Sequence, residues 1–215
     1  SELGVQGYWN DMNEIATWGQ MLPENLVFHF EGNISTSRRG RNIYGLMMAQ
    51  ATYESAKKNL NGVRPFNLTR SGYSGVQRYA AVWTGDNVSY DEHMMLGIRL
   101  VNSMGISGIA FAGYDVGGFV GDASPKLFAR WISIGAFSPF FRGHTMINSR
   151  DSEPWSFGEE TEQIARNYIQ FRYKLLPYLY SCFYKASKTG MPIQRALAID
   201  YPQEEKIYLP SYQHQ

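Results

Sequence analysis

The chain alternates short apolar runs with longer segments in which apolar residues recur every three or four positions. The short runs show little polar alternation, which is typical of β-strands covered on both faces. They lie at residues 5–9, 63–69, 79–83, 107–112 and 137–141. Strand-like and helix-like segments follow one another in turn, and this order predicts βα units and a parallel sheet.

The longer segments predict helices whose ends carry recognisable signals. They cover residues 42–60, 89–105, 126–136 and 159–188. Ser89 and Glu92 have the spacing of a capping box. Ser124 precedes a proline and predicts the N-cap of the third helix. Gly190 is expected to end the last helix, whose aromatic stripe over 168–184 is expected to lie in the core.

Beyond Gly190 the pattern changes. Residues 191–199 predict a strand, and a turn-rich stretch follows. We therefore expect an α/β domain over residues 1–190 and the beginning of a following β-sandwich-type domain, incomplete, over 191–215. The first part shows five βα units, whereas a closed (β/α)8 TIM barrel has eight strands and usually about 250 residues. The chain is expected to hold only part of such a barrel.

Composition and charge exclude several classes of function. The formal net charge of +1 offers no basic surface for nucleic acid or an anionic membrane. No run approaches the roughly 18 apolar residues of a membrane span. A single cysteine, Cys182, excludes an intrachain disulfide, and the four histidines lack ligand spacing, so no metal and no other cofactor is expected. No leader peptide is visible, and the compartment is not specified because the chain is expected to begin within a domain.

A charged or imidazole side chain follows each of the five predicted strands. These side chains are Asp11, Arg70, Asp86, Asp115 and His144. In a parallel barrel the carboxyl ends of the strands lie on one rim, where active sites are built. Turn chemistry also favours Asp at such positions, but it does not account for five strands in succession. Two carboxylates delivered to one pocket are the minimum equipment for cleaving a glycosidic bond.

The sequence around these residues is specific. Gly7-Tyr8-Trp9-Asn10-Asp11-Met12-Asn13-Glu14 closely resembles the signature Trp-x-Asp-Met-Asn-Glu of glycoside hydrolase family 31, the retaining α-glucosidases and their relatives. The resemblance continues, in the family's order, through Arg70-Ser71, Arg78-Tyr79, Trp83-Thr84-Gly85-Asp86, Asp115-Val116-Gly117-Gly118-Phe119 and Phe141-Arg142-Gly143-His144. It reaches to about residue 190 and implies that the five strands are the fourth to the eighth of the family's barrel. Many relatives have proline where Ile15 stands here, and residues 16–41 match no pattern.

The resemblance implies a role for each of two acids. Asp11 would be the nucleophile and Asp86 the general acid/base of a double displacement. Burial beside Trp83 and repulsion from Asp11 would favour the protonated form of Asp86. From the residues alone, Asp11 also fits an Asx-turn or an N-cap, and Asp86 fits a turn before the next helix. Glu14 is a competing carboxylate.

The resemblance also implies a set of substrate contacts. They would be made by Trp9, Met12, Arg70, Trp83, Asp115, Phe119 and His144. The planar fork of Arg70 suits sugar hydroxyls, or it holds a carboxylate in place. The alternatives are a rim salt bridge from Arg70 to Asp115 and a structural role for His144. The glycine pair at 117–118 lacks the ending of a phosphate loop, so no nucleotide site is expected.

The expected function is that of a retaining exo-α-glycosidase, an α-glucosidase that hydrolyses terminal non-reducing α-glucosyl residues. The alternatives are an α-xylosidase or transglucosidase of the same family, or an inactive carbohydrate-binding fragment. The expected partners are an α-glucoside or oligosaccharide substrate and the missing amino-terminal part of the same barrel. Without that part the chain is expected to be too incomplete to act. Linkage preference, natural substrate and oligomeric state are not specified by the sequence.

Overall fold

The structure, a computed structural model, describes residues 4–19, 21–30 and 32–208. The chain divides into two compact units, Ser1–Gly85 and Asp86–Gln215. Each unit contains parallel strands together with helices, so the predicted alternation of strand and helix is present in both.

The first unit is built on three parallel strands. Its elements are β1 (Gly7–Asn10), β2 (Val27–Phe30), β3 (Asn33–Thr36), α1 (Ser37–Asn59), β4 (Phe66–Thr69) and β5 (Ala81–Trp83). β4 lies between β1 and β5, with Thr69 opposite both Asn10 and Val82. Because the strands are parallel and in register, the residue that follows β1 is delivered next to the residue that follows β4. β5 is buried along its length, as predicted, whereas β1 alternates between exposed and half-buried residues.

Close packing of α1 on β4 fixes the start of the loop after that strand. A side chain at Gly45 of α1 would come within 2.8 Å of the Ser71 carbonyl oxygen. Asn67 of β4 is buried and donates from Nδ2 to the Ala49 carbonyl oxygen at 3.2 Å. Residues 16–41, which match no sequence pattern, include the antiparallel hairpin of β2 and β3.

The second unit combines helices with two parallel strands. Its elements are α2 (Asp91–Ile106), β6 (Ala112–Val116), α3 (Pro125–Gly135), β7 (Phe140–Gly143), α4 (Glu159–Thr189) and α5 (Leu197–Asp200). Asp115 of β6 lies opposite Arg142 of β7. Ser124 caps α3 by accepting from the Leu127 amide at 3.1 Å, and Gly190 ends α4 in a left-handed conformation, both as predicted.

Two predictions about α2 and β6 are wrong. The strand predicted over 107–112 lies at Ala112–Val116, because Gly108 (φ +87°) turns the chain after α2 and delays the strand. The capping box is also wrong, since α2 begins at Asp91 after Tyr90, whose side chain caps nothing. Ser89 makes its hydrogen bonds elsewhere, and this difference is important for the site.

The strand predicted over 191–199 is likewise wrong. Residues 191–196 are irregular, and α5 follows directly. Polar contacts explain the irregular path, since Gln194 Nε2 donates to Asn102 Oδ1 at 3.1 Å and Arg195 forms an ion pair with Asp200 at 2.7 Å. The domain boundary at residue 190 stays a prediction, and residues 209–215 lie outside the described residues.

The aromatic stripe of α4 is only partly in the core. Tyr173, Tyr178, Tyr180 and Tyr184 are 70%, 66%, 71% and 64% exposed. Burial on this helix is confined to other positions, such as Ala165 and Leu179. The prediction that this stripe is core is therefore wrong for these four tyrosines.

Arg172 of α4 fixes the segment that leads from α3 into β7. Its guanidinium donates to the carbonyl oxygens of Ala136, Ser138 and Pro139 at 2.9, 2.7 and 3.0 Å, and it lies over the ring of Phe141 at 5.1 Å. One cation therefore satisfies three acceptors at the end of α3.

Arg172→Met is expected to lower the free energy of unfolding by about 3 kcal/mol or more, since three carbonyl oxygens lose a charged donor. Urea unfolding would measure this loss. Lys174→Met, at an exposed position of the same helix, is the control and should change the free energy little. Equal losses in the two variants would contradict the assignment.

Tyr114 couples stability to alkaline pH. Burial in the core raises the pKa of Tyr114 to about 12, although the hydrogen bond from Ser138 Oγ at 2.8 Å acts in the opposite direction. The neutral phenol is favoured by folding, so its contribution is complete below about pH 10 and is lost as the pH rises through 12. Tyr114→Phe should flatten the fall in unfolding free energy between pH 9 and pH 12. Identical pH dependence in wild type and variant would contradict this prediction.

Candidate active site

In the first unit, Asp11 and Arg70 are brought together by adjacent strands. Asp11 directly follows β1, and Arg70 directly follows β4. The two strands are parallel and in register at Asn10 and Thr69, so the following residues are neighbours. Arg70 Nη1 lies 3.2 Å from Asp11 Oδ1. Arg70 is thus placed to hold a carboxylate, one of the two roles that the sequence left open.

Glu14 holds the other edge of the same guanidinium. Arg70 Nε lies 2.6 Å from Glu14 Oε1, and Arg70 Nη2 lies 2.9 Å from Glu14 Oε2, which is a bidentate pair. Arg70 Nη2 also lies 3.1 Å from Met12 Sδ. A bidentate pair fixes the plane of the guanidinium, so the Nη1 edge is aimed at Asp11.

Asn13 fixes the loop after β1 through side-chain hydrogen bonds, a role that was not predicted from the sequence. It is fully buried, and its Nδ2 donates to Thr69 Oγ1 at 2.9 Å. Its Oδ1 accepts from the Ser71 amide at 3.0 Å. Asn13 therefore links the loop after β1 to both sides of Arg70. The signal for it was present as the Asn of the signature, between Met12 and Glu14.

Two tryptophans form the aromatic part of this unit's site. The ring centroids of Trp9 and Trp83 are 5.9 Å apart, with planes tilted by 55°. Trp9 is 50% exposed, whereas Trp83 is 2% exposed. Trp9 can offer a ring surface to a ligand, and Trp83 supports it from the core.

In the second unit, Asp86 lies three residues after β5 and begins the loop that leads to α2. The following residue, Asn87, is buried and donates from Nδ2 to the Asp115 carbonyl oxygen at 3.0 Å. His144 directly follows β7, and its ring stacks on Phe119 with centroids 5.2 Å apart and planes inclined by 22°. Phe119 and His144 are thus brought together, and nothing in the sequence pattern predicts this pairing.

Asp115 does not follow a strand but lies inside β6, fully buried. Arg142 lies opposite Asp115 on the neighbouring strand β7. Its Nη2 and Nε lie 2.6 Å and 3.1 Å from Asp115 Oδ1. Within the first unit Arg70 pairs with Asp11 and Glu14, and the alternative of a salt bridge between Arg70 and Asp115 stays a prediction. The other four polar residues follow their strands by one to three positions, as expected.

Two further features of the described residues bear on function. Within residues 4–19, 21–30 and 32–208, no three His, Cys, Asp or Glu side chains come together as a metal site would require. Among the helices of the same ranges, none has the length and apolar composition needed to cross a bilayer.

Comparison with known proteins gives a consistent result. Residues 1–182 match the family model described as Glycosyl hydrolases family 31 TIM-barrel domain. Alpha-glucosidase 2 of Bacillus thermoamyloliquefaciens is 47% identical over 97% of this chain and 27% of its own length. Neutral alpha-glucosidase C of Homo sapiens is 43% identical over 93% of this chain and 22% of its own length. The chain spans about a quarter of the length of these relatives.

Solved structures agree in fold. A GH31 dextranase of Flavobacterium johnsoniae complexed with glucose is 35% identical, with a TM-score of 0.85 over 94% of this chain and 26% of its own. The ER glucosidase II heterodimeric complex, of catalytic subunit and binding domain of the regulatory subunit, contains a chain 38% identical to this one. It gives a TM-score of 0.86 over 92% of this chain and 22% of its own. The predicted α/β class and the partial (β/α)8 barrel are confirmed.

Proposed function

Because the chain belongs to glycoside hydrolase family 31, we propose that it supplies both catalytic carboxylates of a retaining α-glucosidase. Asp11 attacks the anomeric carbon as Asp86 gives its proton to the departing oxygen. The bond from the sugar to the leaving group breaks, and an ester between Asp11 and the sugar forms. Asp86, now a carboxylate, takes a proton from water, which displaces Asp11 and releases the sugar with retained configuration.

The observation that carries this proposal is the contact of Arg70 with Asp11. A nucleophilic carboxylate must not rotate away from the sugar, and an arginine nitrogen 3.2 Å from Asp11 Oδ1 opposes that rotation. The bidentate ion pair with Glu14 holds Arg70 in place even if Asp11 moves toward the sugar. Asn13 and Met12 complete a loop in which Asp11 is the carboxylate with one arginine contact at its Oδ1.

The substrate class follows from the relatives' names and from the aromatic residues. The names of these relatives (alpha-glucosidase 2, neutral alpha-glucosidase C and glucosidase II) all contain the word glucosidase. They support an α-glucoside or α-glucosyl oligosaccharide as the substrate. Trp9, half exposed over the buried Trp83, offers an apolar face for a pyranose ring. Met12, Arg70, Phe119 and His144 are proposed as the remaining substrate contacts. Asp115, fully buried, would act through its partner Arg142.

The partner of this chain is proposed to be the remainder of its own barrel, because the matched relatives are about four times longer. The test is hydrolysis of 4-nitrophenyl α-glucoside by this chain joined to its native upstream sequence, with nuclear magnetic resonance to identify the first anomer released. Release of α-glucose would support the proposal. Faster turnover of the α-xyloside would favour the α-xylosidase, and transfer to added sugar would favour the transglucosidase. Sugar binding without any product would leave the carbohydrate-binding alternative.

Glu14→Gln is expected to lower kcat/KM by about 10²-fold. The variant loses the bidentate ion pair that fixes Arg70, so Arg70 no longer holds Asp11 in place. The comparison is made with 4-nitrophenyl α-glucoside. Glu54→Gln, at an exposed position of α1 in the same unit, is the matched control and should leave kcat/KM unchanged. If Glu14→Gln matched the control, Glu14 would have no part in holding Arg70 for catalysis.

A further inference from the structure

The loop that carries Asp86 is fixed by hydrogen bonds at each of the three residues that follow the acid. We propose that Asn87 is the positioning residue for the Asp86 carboxyl and that Ser89 assists it. The sequence pattern assigned no role to Asn87 and predicted only a capping box for Ser89. The inference rests on the proposed function, because a positioned acid matters only if Asp86 transfers a proton.

Asn87 is held at both ends of its side chain and at its carbonyl group. Its Nδ2 donates to the Asp115 carbonyl oxygen at 3.0 Å, and its Oδ1 accepts from the Phe119 amide at 2.9 Å. Its carbonyl oxygen lies 2.8 Å from the Phe119 amide and 2.9 Å from the Val120 amide. The side chain therefore needs a donor and an acceptor at once. A carboxylate of the same shape would oppose the Asp115 carbonyl oxygen with a second acceptor.

Val88 and Ser89 extend the same connection. The Val88 amide donates to His93 Nδ1 at 2.9 Å, and the Ser89 amide donates to the Val120 carbonyl oxygen at 2.9 Å. Ser89 Oγ lies 2.9 Å from the Gly117 carbonyl oxygen and 3.2 Å from that of Gly121. Ser89 is therefore a connection between loops and not a helix cap.

The loop that carries Asp86 packs closely against the loop at Gly118. A Cβ placed on Gly118 would lie 2.5 Å from Ser89 Oγ and 2.7 Å from Ser89 Cα. Gly118 also has φ +93°, which favours glycine on backbone grounds alone. Asn87 and Ser89 are 8% and 7% exposed, so water does not compete readily for their bonds.

The loop after β6, residues 117–121, leads directly to other candidate substrate contacts. Phe119, whose amide is held by Asn87, stacks on His144, and its carbonyl oxygen accepts from the Met146 amide at 2.9 Å. Asn87 therefore fixes the backbone of the acid relative to the Phe119 and His144 rings. A catalytic group must be held within about 0.5 Å of its productive position, and a short loop without such bonds does not provide that.

A role in proton transfer can be separated from a role in folding by the leaving group. A poor leaving group, such as an unactivated phenol, needs the proton from Asp86, whereas fluoride and 2,4-dinitrophenolate need little or none. Because kcat/KM reports the step that forms the glycosyl-enzyme, a displaced Asp86 lowers it for poor leaving groups only. General loss of structure would lower kcat/KM for all substrates alike.

The test uses the complete barrel with Asn87→Ala, Asn87→Asp and Ser89→Ala, and aryl α-glucosides that span a wide range of phenol acidity. Asn87→Ala and Asn87→Asp should lower kcat/KM for the least acidic phenols by about 10²-fold, and leave that for α-glucosyl fluoride close to wild type. Ser89→Ala, which removes one hydroxyl, should show the same pattern more weakly. Asn167→Ala, at an exposed position of α4, is the control and should change neither value.

Azide gives a second readout. It is an anion and needs no base, so it attacks the anomeric carbon of the glycosyl-enzyme, breaks the bond to the Asp11 oxygen and releases Asp11 as a carboxylate. Azide should therefore raise kcat of the Asn87 variants on 2,4-dinitrophenyl α-glucoside and produce a glucosyl azide with retained configuration. The wild type, whose Asp86 already activates water, should respond little.

Each outcome decides the matter. An equal loss with all leaving groups, or no loss, in folded Asn87 variants would overturn the proposal while the α-glucosidase assignment stands. If circular dichroism shows that the Asn87 variants do not fold, the test depends on Ser89→Ala. A loss in kcat/KM of Ser89→Ala that is the same for all leaving groups would then overturn the proposal. An inactive wild type would instead overturn the proposed function, and this inference with it.

Discussion

Replacing Asp11 by Asn in the complete barrel is expected to lower kcat by at least about 10⁴-fold, since a nucleophile cannot be replaced by positioning alone. The amide keeps the shape of the side chain but cannot form the ester with the sugar. Arg70 keeps its bidentate partner Glu14, so the loop should stay in place. Hydrolysis of 4-nitrophenyl α-glucoside measures the loss, and all leaving groups should be affected alike.

The Asp11 variant is checked against a surface exchange of the same kind. Asp151→Asn, at an exposed position of the second unit, should keep wild-type kcat. Circular dichroism should show that both variants are folded. Residual activity of the Asp11 variant above a hundredth of wild type would point to another nucleophile. Glu14, the other carboxylate on Arg70, would then be the first candidate.

The sequence predicted best where local signals agree with packing. The apolar run that ends at Trp83 indicates a buried strand, and β5 lies at its end. Ser124 and Gly190 bound helices through short-range hydrogen bonds that the sequence displays directly. Asp11 and Arg70 follow their strands because parallel pairing in register places both at the same edge.

The misses come from partners that the local sequence does not show. Asp115 is an acid inside a buried strand, which is possible because Arg142 of the neighbouring strand pairs with it. Ser89 has the spacing of a capping box, but the carbonyl oxygens of Gly117 and Gly121 compete for its hydroxyl and hold it. Periodicity alone placed Tyr173 in the core, although it is 70% exposed on α4. The cases of Asp115 and Ser89 were decided by interactions between residues that are distant in sequence.

The positioning residues were missed for a related reason. Asn13 and Asn87 are both buried amides beside a candidate catalytic acid, and each uses its donor and its acceptor at once. An Asn next to an Asp in a loop is ordinary turn chemistry, so the local sequence does not distinguish it. Only the partners show that these amides link neighbouring loops and do not simply close a turn.

Asp86→Ala is expected to separate the two steps of the proposed reaction. For the least acidic phenols, kcat/KM should fall by about 10²- to 10⁴-fold, the usual contribution of a general acid. For α-glucosyl fluoride the loss in kcat/KM should be small, because fluoride needs little help to leave. Azide should restore kcat on activated substrates, since it replaces the water that Asp86 no longer activates. Equal loss with every leaving group, or no response to azide, would contradict the role of Asp86 as acid/base.

The double variant Asp86→Ala/Asn87→Ala decides whether Asn87 acts through Asp86. If Asn87 serves only to place the Asp86 carboxyl, its removal costs nothing further once that carboxyl is gone. The kcat/KM of the double variant on the least acidic phenols should then equal that of Asp86→Ala, which is strong non-additivity between the two changes. If the losses multiplied instead, Asn87 would contribute to catalysis by a route independent of Asp86. The bonds to Asp115 and Phe119 would then serve the substrate side of the site and not the acid.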